Sequence, residues 1–185
     1  PDPGGSRPRW AIVPAMLAFL SVALAGAAPK IINGEAGEVE DWPEAGAILV
    51  ESADYYTGAA GIYVQCSSSL IAPDVVITAA HCVDPSLWGV EEFDNVGWSR
   101  EPDLSSWTEG AEGWPEDAVL GVDWVFHDDW DLAALQTGLA LNYDIGLLFL
   151  DTAQDSPLAW LATAEEAAQI EEGKTVTIAG WGMTD

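Results

Sequence analysis

The feature that most constrains the fold is a short β-branched run, Val75–Thr78, that ends at two alanines and a His-Cys pair. Such a run is typical of a buried β-strand, because branched side chains pack well on a pleated sheet. His81 and Cys82 follow this strand directly, so a reactive side chain is held at the end of a buried strand. A β-sheet is therefore the predicted framework around His81.

Two further segments combine apolar residues with chemically useful ones. Residues 142–150 read Asn-Tyr-Asp-Ile-Gly-Leu-Leu-Phe-Leu, which places Asp144 ahead of a second apolar strand. Residues 31–34 read Ile-Ile-Asn-Gly and come directly after Lys30. A histidine, an acid and a basic residue before an aliphatic pair thus occur in three separate motifs.

Together these motifs resemble the trypsin-like serine endopeptidases of the chymotrypsin fold. The family's TAAHC histidine motif corresponds to residues 78–82, its DIALL aspartate motif to 144–148 and its IIxG mature start to 31–34. The three motifs occur along the chain in the family's order. The resemblance covers Ile31 to the last residue. It implies an all-β fold of two six-stranded barrels. The chain is then expected to hold the first barrel, at about 46–150, and the interbarrel connection with the truncated start of the second, at 151–185.

The resemblance also implies a catalytic mechanism. A serine hydroxyl is a poor nucleophile until a base takes its proton, and an imidazole suits that task near neutral pH. By resemblance, His81 is the general base and acid, and Asp144 orients it. The nucleophile belongs in a Gly-Asp-Ser-Gly-Gly segment that this sequence lacks. The oxyanion-hole amides and the specificity pocket belong to the same segment, so this chain alone is expected to be catalytically inert.

A second departure from the family lies beside the first cysteine. Ser67 and Ser68 follow Cys66, where the family usually has two glycines close to the substrate. Two hydroxymethyl groups are expected to narrow the leaving-group side of the cleft without abolishing it.

The N-terminal region has the pattern of an export signal. Residues 1–9 carry Arg7 and Arg9, residues 10–28 are apolar, and A-x-A cleavage sites lie near the end of this stretch, at 23–25 and 25–27. We therefore predict a signal peptide over 1–28 and a secreted protein. A membrane anchor is the alternative, because 19 residues nearly span a bilayer. Residues 29–30 are then a propeptide remnant and 31–185 the protease domain. The resemblance implies zymogen cleavage between Lys30 and Ile31, which frees an ammonium group on Ile31.

The two cysteines, Cys66 and Cys82, are predicted to form one disulfide. An even count in an exported chain favours this pairing, and two reduced thiols in the core are the alternative. In the chain-entropy model a bridge across this loop contributes about 3 kcal/mol. It would pin the histidine segment to the preceding strand.

The charge balance excludes several partners. The chain has 5 basic and 31 acidic residues, and removal of residues 1–30 leaves a net charge of −28. Nucleic acid and anionic membranes require a basic surface, so neither is expected as a partner. Peptide or protein substrates and a monomeric state are expected from the resemblance. The acidity itself fits a solvated surface, adaptation to high salt or cation binding.

No cofactor is predicted, and calcium is the one metal considered. Several acids of the long segment 84–118 supply the carboxylate oxygens that calcium prefers, but they show no regular ligand spacing and equally fit a solvated loop. These candidate ligands are Glu91, Glu92, Asp94, Glu101 and Asp103.

The remaining patterns predict further strands. Residues 47–50, 62–71 and 119–126 are read as strands, and residues 175–182 as a strand that opens a second barrel. Thr163 and Glu166 form a capping-box pattern, which predicts a helix. The resemblance implies an extended connection between the barrels instead, so at most one helical turn is expected. His127 resembles a surface histidine that the family carries upstream of its aspartate, so a structural role is expected for it.

Two classes of function remain open at this point. One is a secreted serine endopeptidase of which this chain is an N-terminal part. The other is a protease-like binding or regulatory module that has lost catalysis, which the missing serine and the two glycine replacements would suit. His81, Asp144 and a cleavable Lys30–Ile31 bond favour the enzyme, because a module without catalysis has no chemical need for all three.

The acidic charge leads to a prediction about salt. If like-charge repulsion opposes folding, sodium chloride at about 1 M should shorten the Debye length to roughly 3 Å and raise the melting temperature. Thermal unfolding at a series of salt concentrations measures this effect. A melting temperature that stays constant or falls would contradict adaptation to high salt.

Overall fold

A computed structural model describes residues 37–54, 58–137 and 143–181. The predicted signal peptide, the propeptide remnant and Ile31 lie outside these residues. Six antiparallel strands form one closed barrel in the order β1-β2-β3-β6-β5-β4. Their bounds are β1 Ala45–Ala53, β2 Ala60–Ala72, β3 Val75–Thr78, β4 Asn95–Ser99, β5 Val119–Phe126 and β6 Gly146–Leu150. The all-β prediction with a six-stranded first barrel is confirmed.

The strand predictions drawn from hydrophobic runs are also confirmed. β3 and β5 begin and end at the predicted residues, and β1 and β2 contain the runs at 47–50 and 62–71. The pairing of β3 with β6 sets Thr78 opposite Gly146 and Val76 opposite Leu148. This pairing brings the end of the histidine strand next to the start of the strand that follows Asp144.

The barrel interior is filled by large apolar side chains from all six strands and the loops between them. Its fully or almost fully buried members are Ile48, Val50, Tyr63, Leu70, Val76, Val83, Phe93, Val96, Trp98, Leu148 and Leu150. Burial of such side chains typically stabilises a fold by about 1.5–3 kcal/mol each. This cluster is therefore the main source of stability for the barrel.

β1 is buried on both faces, which explains its continuous apolar run. Ile48 and Val50 point into the barrel, whereas Ala47 and Leu49 pack outside it in a second cluster with Ile62. Leu104 belongs to this outer cluster, and tryptophans from the segment 84–118 and Trp181 pack against it. The tryptophan-rich segment thus covers the outer face of β1.

β4 lies within that segment and was not located from the sequence. Its residues Asn95–Ser99 pair with β1 and β5 and close the barrel. The segment 84–118 also has 3₁₀ turns at Pro85–Trp88 and Ser105–Trp107. Because β4 has only five residues and includes a glycine, its local pattern is weak, and its two neighbours determine it.

The strand predicted over residues 175–182 is wrong within the described part. Residues 175–179 have no regular structure, and Val176 and Ile178 are 65% and 74% exposed. A strand needs a partner for its N–H and C=O groups, and the closed barrel leaves none of its edges free to pair. High β-propensity alone therefore does not make this segment a strand.

The described residues contain two short helices, α1 at Leu132–Thr137 and α2 at Ala164–Ala167. The predicted helical turn is α2, and its capping box is formed: Glu166 N–H donates to Thr163, and Thr163 N–H donates to Glu166. α1 was not predicted. No helix in the described ranges has both the length and the hydropathy needed to cross a bilayer.

A buried acid fixes the chain just after the histidine turn. Asp84 accepts hydrogen bonds from the backbone N–H and hydroxyl of Ser86 and from the indole N–H of Trp130. Burial acts to raise the pKa of Asp84, but these donors outweigh it and hold the pKa below its ordinary value. The ionised carboxylate is therefore the form that the fold stabilises.

Replacement of this acid should change the pH dependence of stability. Asp84→Asn should lower the free energy of unfolding by about 2 kcal/mol at pH 7, because hydrogen bonds to a charged acceptor are lost. The pKa of Asp84 is lowered on folding, so its stabilisation is present above the unfolded pKa of about 3.9 and is lost as pH falls through the folded value. The wild-type and variant curves should therefore converge below about pH 4.

Urea denaturation at a series of pH values measures this convergence. Glu91→Gln is the matched control, because Glu91 is exposed and lies seven residues further along the same segment. A constant difference between wild type and Asp84→Asn at all pH values would contradict the explanation.

Candidate active site

The site is built around a paired histidine and aspartate. Asp144 Oδ2 lies 2.7 Å from His81 Nδ1, and Asp144 Oδ1 accepts the backbone N–H of His81 at 2.9 Å. The side chains are 34% and 24% exposed, so both are partly shielded from water. Each oxygen of the carboxylate thus has one defined partner on the same histidine.

This double contact assigns the tautomer of His81. An ionised carboxylate only accepts hydrogen bonds, so the proton of the neutral ring must lie on Nδ1. Nε2 is then left with a free lone pair, which is the state that a general base requires. The arrangement can therefore take a proton at Nε2 and stabilise the resulting imidazolium through Asp144.

The backbone around His81 explains why the pair forms. His81 lies in a 3₁₀ turn, Ala80–Cys82, and an N–H in the first turn of a helix lacks a partner within it. Asp144 supplies that partner from the turn just before β6. Gly146 permits the start of β6 to lie close to the backbone just before the histidine turn, because a Cβ at this position would lie 2.9 Å from Ala79 O.

A disulfide anchors the other side of the histidine. Cys66 and Cys82 are joined, so the structure has the bridge rather than two free thiols. Cys66 Sγ lies 3.7 Å from His81 Nε2. Cys66, Cys82 and His81 are close enough to form a metal-ligand group, but the bridge uses both sulfurs. The disulfide links β2 directly to the histidine turn.

The two serines that replace glycines make different contacts. Ser68 is buried, and its hydroxyl donates to Gly46 O at 2.9 Å. Ser67 is exposed, and its hydroxyl accepts the backbone N–H of Trp181 at 2.8 Å. Ser67 therefore ties the last described segment to the strand next to the disulfide.

The other residues singled out from the sequence do not join the pair. His127 accepts the backbone N–H of Asp129 and stacks on Tyr143, with its side chain 41% exposed. In the described residues, no three of the acids suggested for calcium bring their oxygens within 4.8 Å of one another. Ile31 lies outside the described residues. Tyr143 was missed, because an aromatic residue before an aspartate gives no distinctive signal.

Comparisons with known proteins show what this chain is similar to. A sequence model of the Trypsin family matches residues 31–185. The chain is similar to ovochymase of Halocynthia roretzi, at 27% identity over 85% of this chain and 9% of that protein. It is similar to chymotrypsin-like elastase family member 3B of Homo sapiens, at 27% identity over 83% of this chain and 50% of the relative.

Two further proteins match smaller shares of this chain. Chymotrypsin of Phaedon cochleariae is 27% identical over 65% of this chain and 39% of its own length. The solved structure of the VesB protease of Vibrio cholerae is 23% identical and matches 76% of this chain and 37% of its own, with a TM-score of 0.48. The chain thus spans half or less of the length of the curated relatives named here.

The close approach at Gly146 can be tested by adding one methyl group. Gly146→Ala should lower the free energy of unfolding by about 1–3 kcal/mol, because its Cβ would contact Ala79 O and Val83 and force the strand to move. Urea denaturation measures the loss. Gly113→Ala is the matched control, since a Cβ there would meet nothing within 4 Å. Equal stability of both variants would contradict this account of the site.

Proposed function

We propose that this chain, which belongs to the trypsin family of serine peptidases, supplies the base and its orienting acid for hydrolysis of protein peptide bonds. The observation that carries the proposal is the double contact of Asp144 with the ring and backbone of His81. A surface acid that merely neutralised charge would not need both contacts. The Nδ1-protonated ring they impose is the tautomer that catalysis uses.

In the proposed mechanism, His81 Nε2 accepts the hydroxyl proton of a nucleophilic serine as that oxygen attacks the peptide carbonyl. The imidazolium then donates this proton to the departing amine, and the same nitrogen later activates water for deacylation. Asp144 stays ionised throughout and stabilises the charged ring. The His81 side chain is 34% exposed, which supports access of a substrate to the ring.

The serine in this proposal comes from a part of the protein that this chain does not include. The sequence has no Gly-Asp-Ser-Gly segment, and its curated relatives are at least twice as long as the portion it matches. The oxyanion-hole amides and specificity pocket would come with that serine. This chain on its own is proposed to be inert.

Maturation and location form a second part of the proposal. The motif Lys30-Ile31-Ile32 supports zymogen cleavage after Lys30, and the apolar segment 10–28 supports signal-directed secretion. The substrates would be peptides and proteins, and the enzyme would act as a monomer. Trypsin-like serine proteases generally need no cofactor, so none is invoked.

The experiment uses the full-length protein that contains this chain. It should hydrolyse peptide substrates, be silenced by serine-directed phosphonylating reagents and have Ile31 at its mature N-terminus. His81→Ala and Asp144→Asn should each lower kcat by about 10³-fold or more while the protein stays folded. The control is Asp151→Asn, which changes an exposed acid just after the opposite end of β6.

Two results would contradict the proposal. A full-length protein with another residue in place of the serine would support the catalytically inactive binding module. Full activity in Asp144→Asn would remove the proposed role of the pair.

A further inference from the structure

Tyr143 has an unusual backbone conformation beside the proposed catalytic acid. Its φ of 51° makes it the one non-glycine residue with positive φ in the described part of the chain. Bulky side chains rarely occupy this left-handed region, and such outliers persist only where surrounding contacts hold them. The contacts of Tyr143 should therefore show what imposes this conformation.

The ring of Tyr143 is held by His127. The two rings are stacked, with centroids 4.7 Å apart and planes 15° from parallel. His127 also donates its backbone N–H to Ile145 O at 3.0 Å. The end of β5 thus contacts the residue before Asp144 through a ring and the residue after it through the backbone.

Asp144 lies at the centre of a tight turn between these two contacts. The N–H of Ile145 donates to Tyr143 O at 2.7 Å, which closes a three-residue turn around the acid. A change in the backbone of Tyr143 would rotate the carboxylate that reaches His81. The two hydrogen bonds to His81 therefore depend on the conformation that His127 holds.

A second contact lies at the edge of the His127 ring. Its Nδ1 accepts the backbone N–H of Asp129 at 3.1 Å. The Asp129 carboxylate is 4.0 Å away, at the limit of an ion pair, and 69% exposed. These contacts at the edge of the ring leave its face to stack on Tyr143.

We propose that His127 and Tyr143 are a positioning pair that aims the Asp144 carboxylate at both the ring and the backbone of His81. This inference rests on the proposed function, and it extends that function to two residues outside the His81 and Asp144 pair. It assigns His127 a role through its flat ring and not through proton transfer.

The test compares removal of each ring with its conservative replacement in the full-length protein. His127→Ala and Tyr143→Ala remove the stack, whereas His127→Phe and Tyr143→Phe keep a flat ring. The first readout is the downfield NMR resonance of the His81 Nδ1 proton, which reports the hydrogen bond to Asp144. The second is kcat against KM on a peptide substrate, and the third is the melting temperature.

Both alanine variants should broaden or shift the His81 resonance and lower kcat by about tenfold or more, with KM within about twofold, because small displacements of catalytic groups cost rate rather than binding. Both phenylalanine variants should retain the resonance. Phe126→Ala is the control, since it removes an exposed ring from the same strand end. Its resonance and kcat should match wild type.

Each outcome decides the inference. An unchanged resonance in a folded His127→Ala would overturn it, as would a defect in His127→Phe as large as that in His127→Ala. If Tyr143→Ala does not fold, the His127 variants decide, because that side chain is 41% exposed. A full-length protein without peptidase activity would defeat the proposed function, yet the His81 resonance would still test the positioning pair.

Discussion

The pairing of β3 with β6 is the interaction on which the rest of the structure depends. This ladder brings Thr78 opposite Gly146, and with it His81 within hydrogen-bond distance of an acid 63 residues later in the chain. Such long-range contact carries an entropic cost that local interactions cannot offset. The buried cluster around Val76 and Leu148 supplies the compensating stabilisation, so the core and the site form together.

The site itself is stiffened by contacts from three directions. The disulfide ties the histidine turn to β2, Asp144 contacts it from the turn before β6, and the hydrogen bonds of Asp84 fix the chain that follows it. This redundancy matters because a general base must keep its nitrogen aimed to within a fraction of an ångström. Rigidity at His81 is therefore built from strands, a disulfide and the hydrogen-bonded turn that carries Asp144.

The surface of the molecule is strongly acidic. The chain has a net charge of −26, and in the described residues the basic side chains are Arg100 and Lys174. The side chain of Arg100 donates to Val39 O, and that of Lys174 donates to Gln169 O. Both of these acceptors are backbone carbonyl oxygens and not carboxylates. Most acids are exposed, where water and salt reduce their mutual repulsion.

The sequence by itself determined the strands with strong local patterns, the disulfide partners and the identity of the His81 and Asp144 pair as candidates. These were predictable because β-branched runs and short motifs are local signals. Only the tertiary structure decided that β4 is a strand, that residues 175–179 are not, and that Tyr143 stacks on His127. Those outcomes depend on which backbone edges and rings meet across distant parts of the chain. Local propensity does not encode contacts between residues that are far apart in the sequence, so the closed barrel and its contacts required the three-dimensional structure.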